Sequence, residues 1–219
     1  PNSPTGAIAT KEFYAQLLKK AKQYGFLIVN DCVYGPLTYH TEPLSIFSIP
    51  DSENYCIEVH SLSKAFNMTG FRIGFMVANE KLMHILKEVK DNMDSGQYIP
   101  IQYAAMKAFE NESHTLPQLK EHYYRRLTQV AAILNKHHLY CKVPEATFHL
   151  YVQVPSTFKT AEDFALYLLY QAGIYTIPWD EAEPAVRFAM TYSIQTTEHD
   201  FLVELDRRLS HLSFFEKKE

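Results

Sequence analysis

Apolar positions recur in two rhythms along the first part of the chain. Phe13, Leu17, Leu18 and Ala21 return at helical spacing after Thr10, a residue suited to cap a helix start, and Gly25 closes the pattern. FLIVND (26–31) is a short apolar run closed by polar residues, so it predicts a buried strand. YCIEVHS (55–61) and FRIGFMVAN (71–79) predict two more strands, while EKLMHILKEVKDNM and IQYAAMKAFEN (101–111) return to helical spacing. Strands alternating with helices predict an α/β fold with a largely parallel, buried sheet. Functional groups of such sheets gather at the carboxyl ends of the strands. Asp31 ends the first strand here, and Ser61 to Lys64 follow the second.

The texture changes after about residue 113. TLPQLKEHYYRRLTQVAAILNKH predicts a long amphipathic helix beginning near Pro117, and CKVPEATFHLYVQVP carries an alternating strand. AEDFALYLLYQAG predicts a helix stopped by Gly173, IYTIP and VRFAMTYS predict strands, and TTEHDFLVELDRRLSHL closes with a helix capped by Thr196 or Thr197. Two domains are therefore expected: residues 1–112, part of a mostly parallel α/β domain with flanking helices, and residues 113–219, a small α+β unit.

Composition narrows the function classes. Apolar residues make up 47% and charged residues 21% of 219, an ordinary globular balance. A net charge of -4 argues against nucleic-acid and membrane-surface partners, and local clusters such as Lys19–Lys20 and Arg125–Arg126 read as solvated helix faces. No apolar run approaches the about 20 residues of a membrane span. The cysteines Cys32, Cys56 and Cys141 are odd in number and lack CxxC spacing, which suggests neither a disulfide framework nor a metal site and fits a reducing cytoplasm.

Candidate chemistry centres on SLSKAFNMTGFRIGF. Lys64 read alone fits an exposed loop lysine better, but Ser61, Ser63, Thr69 and Arg72 surround it in sequence. Hydroxyls with an arginine make a phosphate clamp, and an amine beside such a clamp is what pyridoxal phosphate requires. Asp31 is suited to keep the cofactor's pyridine nitrogen protonated, or to cap a loop. Tyr34, three residues on, offers a phenol to the cofactor's ring oxygen, or packs half-buried.

PNSPTG, DCVYG, SLSKAFNMTGFRIG and VRFAMTYS, in that order, resemble class I/II aminotransferases of the fold-type I pyridoxal-phosphate family over nearly the whole chain. The resemblance implies that Lys64 is the Schiff-base lysine and proton shuttle, Asp31 the pyridinium partner and Tyr34 the donor to the ring oxygen. It also implies that Ser61 and Arg72 hold the phosphate, with Ser63 a weaker candidate, and that Arg187 grips the substrate α-carboxylate. Ser3 stands where the family usually has an asparagine that bonds the ring oxygen, so a shorter hydroxyl would take its place. IPWDEAEPAVRF, with the only tryptophan, Trp179, replaces the family's glycine-rich segment. DNMDSGQYIPIQYAAMKAF resembles the LL-diaminopimelate and related amino-acid aminotransferase subgroup.

What the resemblance implies for function is transfer of an α-amino group between an amino acid and a 2-oxo acid, with pyridoxal phosphate, by a homodimer and without a metal. Two other readings keep the same residues: a β-eliminating lyase on this scaffold, and a non-catalytic aminotransferase-like domain of a regulator. In the family a long segment precedes the PNSPTG turn and supplies further strands and cofactor contacts. The chain is thus expected to be the C-terminal part of such an enzyme, inactive alone, with an unpaired sheet edge and exposed apolar surface.

Overall fold

The computed structural model describes residues 1–181 and 183–213; Ala182 in the acidic loop and residues 214–219 at the end of the expected second domain lie outside the described residues. The chain divides into two units, one of Pro1–Asn2 and Ala7–Lys120, the other of Ser3–Gly6 and the residues from Glu121 onward.

In the first unit, α1 (Lys11–Tyr24) starts where Thr10 Oγ1 accepts from the Phe13 amide at 3.2 Å and stops at Gly25, which is left-handed. Its inner face, Tyr14, Leu18 and Ala21, packs with Ile28, Ile46 and Cys56 into one core. β1 (Ile28–Asp31) and β2 (Cys56–Ser61) pair in parallel, from Ile28 opposite Cys56 to Asp31 opposite Val59. β3 (Gly74–Val77) runs antiparallel to β2, so this three-stranded sheet, ordered β1-β2-β3, is mixed. The link between β2 and β3 holds only α2 (Leu62–Ala65) and a tight turn over Thr69–Phe71. That link, residues 62–73, sits at the lower limit of a parallel crossover and holds no helix long enough to carry the chain back across the sheet. α3 (Glu80–Met93), capped by Asn79, and α4 (Ile99–Glu110) complete the unit, with Ala105 of α4 packed on Leu62 and Met68.

α5 (Glu112–Lys136) begins before Pro117, not at it. The amides of His114 and Thr115 already bond the Asn111 carbonyl, both at 3.0 Å, so the helix nucleates there and tolerates one missing donor at Pro117. The second unit carries β4 (His149–Gln153), α6 (Ala161–Ala172), β5 (Ile177–Trp179), β6 (Ala185–Ala189) and α7 (Glu198–Ser210). Its sheet is antiparallel and ordered β4-β6-β5, with Leu150, Val152 and Val186 fully buried. α6 ends on left-handed Gly173, and α7 starts with a reciprocal cap in which Thr197 and Asp200 bond each other's amides.

A buried arginine organises the end of β6. Arg126 of α5 donates to the carbonyls of Met190 and Tyr192 at 3.0 and 2.8 Å and to the Glu198 carboxylate through Nη2 at 3.0 Å, with Nε at ion-pair distance, 2.9 Å, but not in hydrogen-bond geometry. Its guanidinium lies 4.1 Å from the Tyr192 ring centre, and the Tyr192 hydroxyl donates to Glu198 at 2.9 Å. Burial, followed by that hydrogen bond, pushes the Tyr192 hydroxyl well above the ordinary tyrosine range.

Candidate active site

Parallel pairing of β1 and β2 brings their carboxyl ends, Asp31 and Ser61, to one end of the sheet. Side chains alternate across a strand, so Ile28 and Asn30 face α1 while Val29 and Asp31 face the other way. Asp31 is exposed, and its carboxylate accepts from the Val33 amide at 3.2 Å, which turns the chain as it leaves the sheet. The Cys32 amide donates to the Val59 carbonyl at 2.8 Å and carries the ladder one step past Asp31. Tyr34 is buried and introduces the tight turn Gly35–Leu37.

Ser61 ends β2 and caps α2: its hydroxyl oxygen accepts from the Ser63 amide at 3.1 Å. Ser63 itself is buried, and its carbonyl accepts from the Thr69 hydroxyl at 2.9 Å. Lys64 follows on α2, half-buried, with Nζ 5.7 Å from the centre of the Tyr34 ring. A cation at that range is attracted to the aromatic face, so the two side chains predicted from separate segments do meet. Arg72 lies exposed on the turn entering β3, donates to the Thr69 carbonyl at 3.1 Å, and adopts φ 52, ψ 52. A left-handed arginine is an unfavourable backbone state of the kind that clusters at binding sites. Two residues on, Gly74 pairs with Ser61, and a Cβ there would lie 2.5 Å from the His60 carbonyl oxygen. Only glycine lets the turn carrying Arg72 close against the end of β2. One end of this sheet thus gathers Asp31, Tyr34, Ser61, Lys64 and Arg72.

Ser3 and Arg187 belong to the other unit. Ser3 is half-buried in a turn. Arg187 sits mid-way along β6, between Tyr151 of β4 and Ile177 of β5, with its Nε buried and no hydrogen-bond partner for that atom among the described residues. Burial pushes the neighbouring Tyr151 hydroxyl up, and the carboxylates of Glu183, Glu181 and Asp180 add to it.

One residue of this region escaped the sequence reading. Glu58, in the middle of β2, is buried and accepts from Asn30, Ser45 and the Ile46 amide at 2.9–3.1 Å. Burial, then the Glu58 charge, raises the thiols of Cys32 and Cys56 to about 11. Its signal was visible: an acidic residue inside the apolar run YCIEVHS needs buried partners. Among the described residues no group of three or more His, Cys, Asp or Glu is placed to hold a metal ion. Among them, too, no helix is long and apolar enough to cross a membrane.

Comparison with known proteins identifies the family. The model of the family "Aminotransferase class I and II" matches residues 1–200. The LL-diaminopimelate aminotransferase of Methanocaldococcus jannaschii is 41% identical over 224 residues, covering 95% of this chain and 53% of that protein. Its namesake in Methanococcus maripaludis is 38% identical, covering 98% and 54%. The chain therefore spans about half the length of these relatives. Among solved structures, apo BacF from Bacillus subtilis superposes with a TM-score of 0.87 at 31% identity, covering 95% of this chain and 56% of that one. An aromatic aminotransferase from Pyrococcus horikoshii gives 0.85 at 25% identity, covering 95% and 57%. With a strand end that presents a lysine, a carboxylate and an arginine, and with the family match running through all of them, the chain belongs to the class I and II aminotransferases.

Proposed function

We propose that the whole protein is a pyridoxal-phosphate-dependent aminotransferase, moving an α-amino group between an amino acid and a 2-oxo acid. LL-diaminopimelate, named in the relatives, is the first amino acid to test. The observation that carries this reading is Lys64 beside Tyr34 at the end of two parallel strands, with Asp31 and Ser61 on the same end. The family's cofactor is pyridoxal phosphate, and the donor set fits it: an amine for its aldehyde, a carboxylate for its ring nitrogen, a phenol for its ring oxygen, hydroxyls and a guanidinium for its phosphate.

When bound, the cofactor supplies an aldehyde that condenses with amines and a protonated ring that withdraws electrons. Lys64 would hold it covalently, then take the proton from the substrate Cα and return it on the far side of the transfer. Asp31 keeps the ring nitrogen protonated, and Tyr34 and Ser3 donate to the ring oxygen. Ser61 and Arg72, with Ser63 beside them, hold the phosphate. Arg187 binds the substrate α-carboxylate, and its Nε, buried and without a hydrogen-bond partner among the described residues, supports that role because a carboxylate would satisfy such a donor. Such a grip selects the Cα–H bond by orientation. We place the whole protein in the cytoplasm as a homodimer; three cysteines without disulfides support a reducing compartment.

The direct test incubates the whole protein with pyridoxal phosphate, reduces with borohydride and maps the label. A pyridoxyl group on Lys64, absent in Lys64→Ala, is expected; a label elsewhere, or none, overturns the assignment. An amino-acid panel on the 219-residue chain tests the expectation that it is inactive alone, and repeated pyruvate release by the whole protein without an added keto acid would favour the lyase.

A further inference from the structure

Glu58 lies on the sheet face opposite Asp31, yet it holds the residue before each of two site residues. It accepts from Asn30 Nδ2 at 3.1 Å, and Asn30 precedes Asp31. It meets His60 Nε2 at 3.0 Å, and His60 precedes Ser61. Asn30 is gripped from its other end as well, where its Oδ1 accepts from the Tyr14 hydroxyl at 3.2 Å. The His60 ring is stacked on Phe75 of β3, centres 4.7 Å apart. Two further donors, the Ser45 hydroxyl and the Ile46 amide at 2.9 Å, tie the β1–β2 connection to the same carboxylate.

We propose that Glu58 is a positioning residue that sets the distance between Asp31 at the ring-nitrogen end of the cofactor site and Ser61 with Lys64 at its phosphate and amine end. This rests on the cofactor assignment above. The hydrogen bonds of Asn30 and His60 converge on one side chain, so the two strand ends cannot shift independently while Glu58 is filled. Burial makes the constraint stiff: at 3% exposure no water replaces a lost partner. The function is one of acceptor geometry rather than charge. Glutamine can keep its oxygen toward Asn30 and Ile46 and turn its amide toward the His60 ring nitrogen.

The test titrates the whole protein with pyridoxal phosphate and reads borohydride-trapped label on Lys64. Glu58→Ala and Asn30→Ala are each expected to weaken apparent cofactor affinity about tenfold, and the double variant no more than either alone, because both break one link. Glu58→Gln should stay within about twofold of the parent, a rescue that a general packing defect would not follow. Where Glu58→Ala fails to fold, judged by circular dichroism, Asn30→Ala carries the comparison. Additive losses, or a folded Glu58→Ala or Asn30→Ala chain that binds like the parent, overturn the proposal. If the parent itself takes no label on Lys64, the cofactor assignment has failed instead. Glu58 is then judged by hydrogen exchange of the Cys32 amide, expected to quicken about tenfold in Asn30→Ala while that of Met190 does not; unchanged exchange overturns it.

Discussion

Replacing Arg126 with methionine tests the account of the second unit most sharply. The side chain is 8% exposed, fills two carbonyls that follow β6, and pairs with Glu198. Arg126→Met leaves a partly buried carboxylate and two carbonyls without their donors, and breaking a buried pair in this one-sided way costs about 3–5 kcal/mol. Adding Glu198→Leu removes the stranded charge, so the double variant should recover about 2 kcal/mol of that loss. Urea unfolding followed by Trp179, which sits on β5 of the same unit, reads the change as a shift in midpoint at constant slope. A loss below about 1 kcal/mol, the range of an exposed pair, would refute the reasoning. So would a double variant no more stable than the single. The pH series has a definite sign. Burial alone would raise Glu198, but the hydrogen bonds from Arg126 and Tyr192 outweigh it and hold the carboxyl below its ordinary 4.5. Its stabilisation is therefore present above that ordinary value and is lost as pH falls through the lower folded one. In Arg126→Met this acid-side loss should flatten.

Gly74→Ala places a methyl 2.5 Å from the His60 oxygen and should cost about 1–3 kcal/mol, lowering label on Lys64 as well; a melting shift below about 2 °C would refute the close-approach argument. The thiols of Cys32, Cys56 and Cys141 are all raised to about 11, chiefly by burial. At pH 8 only about a thousandth of each is thiolate, so a disulfide reagent should titrate them slowly in the native chain and at once in denaturant; fast native reaction would contradict their burial.

Much of the local structure was legible because its causes are local. Thr10, Gly173 and Thr197 bound helices through bonds spanning a few residues; Thr10 and Gly173 were marked by type and position, and Thr197 as one of two neighbouring candidates. The gathering of Asp31, Ser61 and Lys64 was legible too, since parallel strands align carboxyl ends. What the chain order hid depends on distant partners or short links. The antiparallel course of β3 goes with a link that holds no crossover helix, which its apolar content does not reveal. α5 starts ahead of Pro117 because Asn111 offers a carbonyl that no periodicity reveals. Glu58 looked out of place until Asn30, Ser45 and Ile46 converged on it from other segments. The left-handed turn at Arg72 likewise has no mark in residue type.

The outer side of β3 has a consequence for handling the chain as a material. All four of its residues are exposed, and no strand pairs with its far edge among the described residues. α3, which follows it in sequence, buries none of its side chains, with Ile85, Val89 and Met93 exposed at 51, 54 and 77%. An open ladder of amides and carbonyls in a unit that also exposes an apolar helix face is a template on which identical copies stack. The colloidal limit of the chain is therefore set here rather than by its net charge: clouding should track concentration and sulfate, and a single lysine at Met76 should raise the limit more than a lysine placed anywhere on α7.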